Sequence, residues 1–183
     1  HLALALRAAL VTLTAVPTGI YDLMKIGLPK ETHPGETRTA LVPTHVAKLA
    51  KLGAHVEVEA GLGLAADYAD ADYTAAGATI APDRRTLLST ADLVLRLRKP
   101  PADEVDLLKP GSVQVSFLDP FNERALVDQL AARGVSAISM ELIPRTTRAQ
   151  KMDALSSQAN LAGYVAVILA ADHSDKIFPM MMT

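Results

Sequence analysis

Most of the chemistry in this 183-residue sequence is concentrated in twelve consecutive residues, Arg145 to Ser156, reading RTTRAQKMDALS. They set two guanidiniums (Arg145, Arg148), an amide (Gln150), a carboxylate (Asp153) and a hydroxyl (Ser156) on one short segment. Guanidiniums bind phosphate or amide oxygens, Gln and Ser bond ribose hydroxyls, and Asp accepts from hydroxyl or amide donors. Such a segment suits a charged, polyhydroxylated ligand. It equally suits a solvated polar loop that caps a helix, with Asp153 at the helix N-terminus. Residue types alone leave both readings open.

Other candidate chemistry is weaker. Gly61-Leu-Gly63-Leu-Ala-Ala66 fits the G-x-G-x-x-A pattern of a phosphate-binding turn, and Asp83 lies near the distance of a ribose-binding acid. Yet the loop follows the second predicted strand instead of the first. Acidic residues (Asp67, Asp70, Asp72) crowd the expected helix and would repel phosphate, and Asp83 follows Pro82. A plain glycine-rich turn is expected there. His33, His45, His55 and His173 show no H-x-x-H or H-E-x-x-H spacing, so no metal site is expected. Ser156-Ser157 lacks the G-x-S-x-G context of a hydrolase nucleophile. The sequence has no cysteine, which removes disulfide, thiolate-metal and thiol-nucleophile chemistry. A net charge of −2 without a basic block, and 4% aromatics, leave no basis for nucleic-acid binding.

The elements that must position the segment alternate strand and helix. Lys25–Leu28 reads as a buried strand, followed by a polar loop over 32–39 and a helix from Pro43 that stops at Gly53. Strands are expected over 55–60, 79–80, 91–97, 112–118 and 135–140. Helices are expected over 70–76, 84–89 and 103–108. Another, capped by Asn122, carries Leu126, Val127 and Leu130 inward as far as Gly134. A long Ala/Leu/Val-rich helix follows from about Met152 to Ala171, interrupted at Gly163. This order predicts an α/β fold: a doubly wound, mainly parallel sheet of Rossmann-like or flavodoxin-like kind, with a C-terminal linking helix. Three segments are expected: an unassigned upstream extension over 1–23, an α/β domain over 24–151, and a loop and long helix over 152–183. The apolar run 2–16 is shorter than the roughly 20 residues that span a bilayer, and MKIGLPKE from Met24 reads as a natural start. Met180–Met182 read as packing material.

Three blocks carry a family resemblance: MKIGLPKETHPGETRTALVP, ADLVLRLRKP and ELIPRTTRAQKMDALSSQANLAGY. From Met24 to Thr183 the chain resembles the alanine dehydrogenase/pyridine nucleotide transhydrogenase family. It is most similar to the NAD(H)-binding alpha subunits of the proton-translocating branch. The resemblance implies that Arg145, Gln150, Asp153 and Ser156 grip the nicotinamide end of NAD(H). Gln150 would be the catalytic residue, lying between the two nucleotides during hydride transfer. NADP(H) would sit on a partner domain, with proton movement through a membrane domain. It also implies a second, Rossmann-type half carrying the pyrophosphate site, a homodimer, and a cytoplasmic location peripheral to the inner or plasma membrane. The segment itself is expected to have no turnover when isolated. Lys151 replaces a usual small serine.

Two other readings stand beside this one. An alanine dehydrogenase-like amino-acid oxidoreductase would need a Lys and a His where this chain has Arg98 and Asp119, although Arg38 matches that branch's substrate-carboxylate arginine. A non-catalytic α/β fragment would bind no nucleotide.

Overall fold

In the computed structural model, which describes residues 24–178, six parallel strands form one sheet in the order β3-β2-β1-β4-β5-β6. The strands are β1 (Lys25–Leu28), β2 (His55–Val58), β3 (Thr79–Ile80), β4 (Leu93–Leu95), β5 (Val113–Ser116) and β6 (Ser136–Ser139). Helices α1 (Pro43–Ala50), α2 (Asp70–Ala75), α3 (Arg84–Thr90), α4 (Ala102–Val105) and α5 (Arg124–Ala132) lie between them, and α6 (Ala154–Asp172) follows β6. The expected doubly wound sheet is therefore parallel throughout. The readings of residues 1–23 and of Met180–Met182 fall outside the described residues.

Strand β4 explains the two-sided core. Side chains alternate along a strand, and Leu93 and Leu95 join a cluster with Val46 and Leu49 of α1 and Tyr73 of α2. Val94 between them joins a second cluster with Leu87 and Leu88 of α3, Val105 of α4, and Leu126 and Leu130 of α5. All three residues of β4 are buried, as a strand covered on both faces requires. Gly27 in β1 follows from the same packing. A Cβ there would lie 2.9 Å from both Ala91 Cβ and Leu87 Cδ2, so α3 can approach β1 only over a glycine.

The strands and helices are mostly shorter than the apolar runs that mark them. β4 spans 93–95 instead of 91–97: Ala91 closes α3, and past Leu95 only single backbone bonds to β5 continue (Arg96 N–H to Val115 O, Phe117 N–H to Leu97 O) while the Arg96 side chain turns to an ion pair. Asn122 does not cap α5. The N-cap position is Glu123, with no side-chain cap, and the Asn122 amide donates to both carboxylate oxygens of Asp119 instead, at 2.9 and 3.1 Å. Leu126 and Leu130 are buried as expected, with Val127 half-buried. Gly163 does not interrupt α6, which runs unbroken for 19 residues.

At the carboxyl ends of the strands an ion network ties the elements together. Arg84 at the start of α3 donates to Glu59 (2.5 Å), to Glu104 in α4 (2.7 Å) and to the carbonyl of Lys30 (3.0 Å). Arg96, just past β4 and buried, donates to the second Glu104 oxygen at 2.9 Å. Removing one partner of a buried pair strands the other charge. Glu104→Ala is expected to lower unfolding stability by about 3–5 kcal/mol, read as a shifted urea midpoint at unchanged slope.

Candidate functional site

The Arg145–Ser156 segment is built on the end of β6. Ser139 and the backbone amides of Leu118 and Asp119 all donate to the Glu141 carboxylate, which fastens the ends of β5 and β6 together. Pro144 then turns the chain off the sheet, and Ala149 anchors the loop by burying its side chain. A single 3-10 turn, Gln150–Met152, leads into Asp153 and α6.

Three of the four expected site residues close into one cluster. Arg145 Nη2 donates to Ser156 Oγ at 2.7 Å, and the same hydroxyl donates to Asp153 Oδ2 at 2.7 Å. Arg145 Nε reaches Asp153 Oδ2 at 3.4 Å, and the Ser156 amide donates to Asp153 Oδ1 at 2.9 Å. Asp153 is therefore the N-cap of α6 as well as a cluster member, as the helix-capping reading expects. Bonds from the Ser156 hydroxyl and amide, with Arg145 behind them, hold the Asp153 carboxyl below its ordinary pKa. Gln150 is not drawn in. Its side-chain amide, like the Arg148 guanidinium, makes no hydrogen bond among the described residues. Lys151 is exposed. The donors thus offered are one anchored guanidinium, one unanchored guanidinium and a neutral amide. That set fits a ligand bearing an anionic group and amide or hydroxyl functions.

Beside the cluster lies a cavity of about 390 Å³ between the sheet edge and the start of α6. Its floor is apolar (Leu95, Leu97, Val115, Phe117, Met140), and Arg38, Arg96 and Gln158 supply its polar groups. Arg38 donates to both oxygens of Glu36 at 2.7 and 2.8 Å and to Gln158 Oε1 at 2.6 Å. Arg98 donates to the same Glu36 at 2.9 Å. Sequence reading missed Glu36 and Gln158. Gln158 has its partner 120 residues away, and Glu36, though Arg38 is two residues on, is completed by Arg98 62 residues away, so neither arrangement shows as a local pattern. Arg98 is thus committed to Glu36. Asp119, at a left-handed φ of 52°, is committed to Asn122, and neither stands as a free proton-transfer group.

The strand order reverses between β1 and β4, the point where an open parallel sheet of this order ordinarily binds a dinucleotide. Here Glu31 lines that crevice, which stays open as a cavity of about 430 Å³ bounded also by Thr32, His33, Arg96 and Arg98. Glu31 accepts the backbone amides of Leu97 (2.5 Å) and Arg98 (3.3 Å). The glycine loop after β2 is a closed turn, as expected. The Gly61 amide is held by Asp70 at 2.8 Å, and residues 64–66 form a 3-10 turn instead of a helix start. A Cβ on Gly63 would lie 2.6 Å from the Tyr73 ring, so this glycine serves packing. Asp83 caps α3 through the Thr86 amide and hydroxyl and is unavailable to a ribose.

Residues 27–162 match the model described as alanine dehydrogenase/PNT, N-terminal domain. The chain is 48% identical over 165 residues to the first of the polypeptides that make up the NAD(P) transhydrogenase alpha subunit of Rhodospirillum rubrum, covering 87% of this chain and 43% of that one. It is 33% identical over 150 residues to alanine dehydrogenase of Mycobacterium tuberculosis, covering 82% and 40%. Among solved structures, transhydrogenase from Sinorhizobium meliloti superposes with a TM-score of 0.80 at 43% identity, covering 87% of this chain and 47% of that one. The chain thus spans less than half the length of each of these relatives, and alanine dehydrogenase is the more distant of the two named activities.

The Glu36 carboxyl, held chiefly by its hydrogen bond from Arg38 against the opposing effect of burial, titrates at about 2 instead of 4.5. A carboxyl lowered by folding stabilises the protein above its unfolded pKa, and that share fades as pH falls toward the folded value. Stability measured by denaturant titration is expected to decline through this window, from 4.5 to about 2. In Glu36→Gln that decline should be visibly shallower. Parallel declines in the two proteins would contradict the assignment.

Proposed function

Because the chain belongs to the alanine dehydrogenase/pyridine nucleotide transhydrogenase family, we propose that it is the N-terminal part of the NAD(H)-binding alpha subunit of an NAD(P) transhydrogenase. The observation that carries this reading is the Arg145–Asp153–Ser156 cluster with the unpartnered Gln150 amide beside it, in a chain 48% identical to a transhydrogenase alpha subunit.

In this reading the cluster receives the nicotinamide-ribose end of NAD(H). Arg145 and Ser156 hold the carboxamide or ribose oxygens, and Asp153 keeps both side chains in place. When bound, the two nucleotides supply the chemistry, a hydride passing from C4 of the reduced nicotinamide to C4 of the oxidised one without a proton from the protein. Hence the site needs no acid or base, only groups that orient two rings and exclude water. Gln150 is the residue proposed to act there, because a neutral amide donates and accepts at once without exchanging a proton. Residues 24–151 form the α/β domain. Residues 152–183 lead to a second, Rossmann-type half, which carries the pyrophosphate. At this sheet's own switch point Glu31 already takes the backbone amides of Leu97 and Arg98, which supports placing the pyrophosphate elsewhere. The remaining partners are an NADP(H)-binding domain, a membrane domain that moves protons, and a second copy of the subunit. The location is cytoplasmic, against the inner or plasma membrane. The amino-acid dehydrogenase reading is disfavoured by Asp119, whose carboxylate is held by Asn122 and cannot replace an imidazole near neutral pH.

Titrating the 183-residue chain with nicotinamide mononucleotide tests the site directly. Arg145→Ala is expected to weaken binding about tenfold, and Ser156→Ala by less, as loss of a charged and a neutral hydrogen bond requires. In the complete subunit with its NADP(H)-binding partner, Gln150→Ala should slow hydride exchange by about tenfold or more while leaving NADH affinity nearly unchanged. The isolated chain should show no turnover. Alanine deamination by the complete subunit would favour the amino-acid dehydrogenase instead.

A further inference from the structure

We infer that Arg38 is a positioning residue for the Arg145–Asp153–Ser156 cluster, acting through Gln158 on the opposite side of the first turns of α6. Apart from half-buried Ala154, which packs its first turn on the core, helix α6 has little else to hold it. None of its residues is buried, and beyond Gln158 all are exposed. Among the described residues, two guanidiniums reach it with side-chain hydrogen bonds from outside. Arg145 bonds Ser156 at 2.7 Å and Arg38 bonds Gln158 at 2.6 Å. Ser156 and Gln158 are two residues apart, about 200° around a helix of 3.6 residues per turn. The two arginines therefore grip the helix start from opposite sides.

Arg38 is suited to the role because it is itself fixed. Its Nε and Nη2 are spent on both oxygens of Glu36. The Glu36 side chain is only 3% exposed and also takes Arg98 from beyond the end of β4. Position is thus passed from the sheet through Arg98, Glu36 and Arg38 to α6. With Nη1 given to Gln158, Arg38 has its fork committed within the protein, unlike an arginine that waits for a substrate carboxylate. Without the Arg38 bond, α6 keeps only the Arg145 bonds and the Ala154 packing at its first turn, and its cap, Asp153 with Ser156, is free to tilt.

The inference bears on the nucleotide reading only through its last measurement, so the two fail separately. In the 183-residue chain, the Ser156 amide resonance reports the cap without any ligand. Arg38→Met and Gln158→Leu should each move it in the same direction, and the double variant should move it no further than either single one. Resonances of β1 and β2 should stay in place. Gln158→Glu keeps the acceptor and should retain the wild-type position. Affinity for nicotinamide mononucleotide should fall about three- to tenfold in both disrupted single variants and no further in the double. Gln158→Leu leaves the Arg98–Glu36–Arg38 chain intact, so it carries the test if Arg38→Met does not fold. An unmoved Ser156 amide in folded Gln158→Leu, or additive shifts in the double variant, would overturn the inference. Shifts of the expected kind in a chain whose wild type binds no mononucleotide would leave it standing and remove the nucleotide reading instead.

Discussion

The ion network at the carboxyl edge of the sheet is the constraint on which the remaining geometry rests. A parallel sheet leaves its loops at that edge to be held by side chains, because its connections cross over its faces. Arg84 does this by joining Glu59 past β2, the Lys30 carbonyl past β1, and Glu104 in α4. Arg96 closes the other side of Glu104. Buried charges contribute little net stability when paired and cost much when stranded. The network therefore acts mainly by penalising any other arrangement of these loops.

Between β1 and β4, where folds of this strand order ordinarily hold a nucleotide, Glu31 takes the backbone amides of Leu97 and Arg98 that would otherwise face a ligand. The polar groups available to a ligand lie further along, past β6, where Pro144 lifts the chain off the sheet and Asp153 starts α6. The same edge also braces the site past β6, since Arg98 beside Glu31 holds Glu36 and, through it, Arg38. This arrangement accounts for a nucleotide-family fold whose glycine loop packs on a tyrosine and whose candidate site is a helix cap.

Much of the fold was legible because each element carries its own period or punctuation. Strands β1 and β3 and the starts of α1, α2 and α3 fall where apolar runs, Pro43 and the Gly53 and Gly77 stops place them. The misses are of one kind. β4 ends at Leu95, where the Arg96 side chain turns to a partner eight residues on while its amide still bonds β5, and the expected cap of α5 fails because Asn122 finds Asp119. In the site, Arg145, Asp153 and Ser156 stood out by proximity in the chain, whereas Gln158 had no local signal and Glu36 only the arginine two residues on.

By itself, then, the sequence determined which residues could do chemistry, the order of strands and helices, and the family to which they belong. These follow from local propensity, alternation and contiguous motifs. Tertiary structure alone decided that Arg145, Asp153 and Ser156 close together while Gln150 stays outside. It alone turned Arg38 and Arg98 onto an internal carboxylate and set Glu31 on the backbone amides at the switch point. Such choices depend on which charges meet when loops from distant strand ends converge on one edge, and sequence spacing does not encode that meeting.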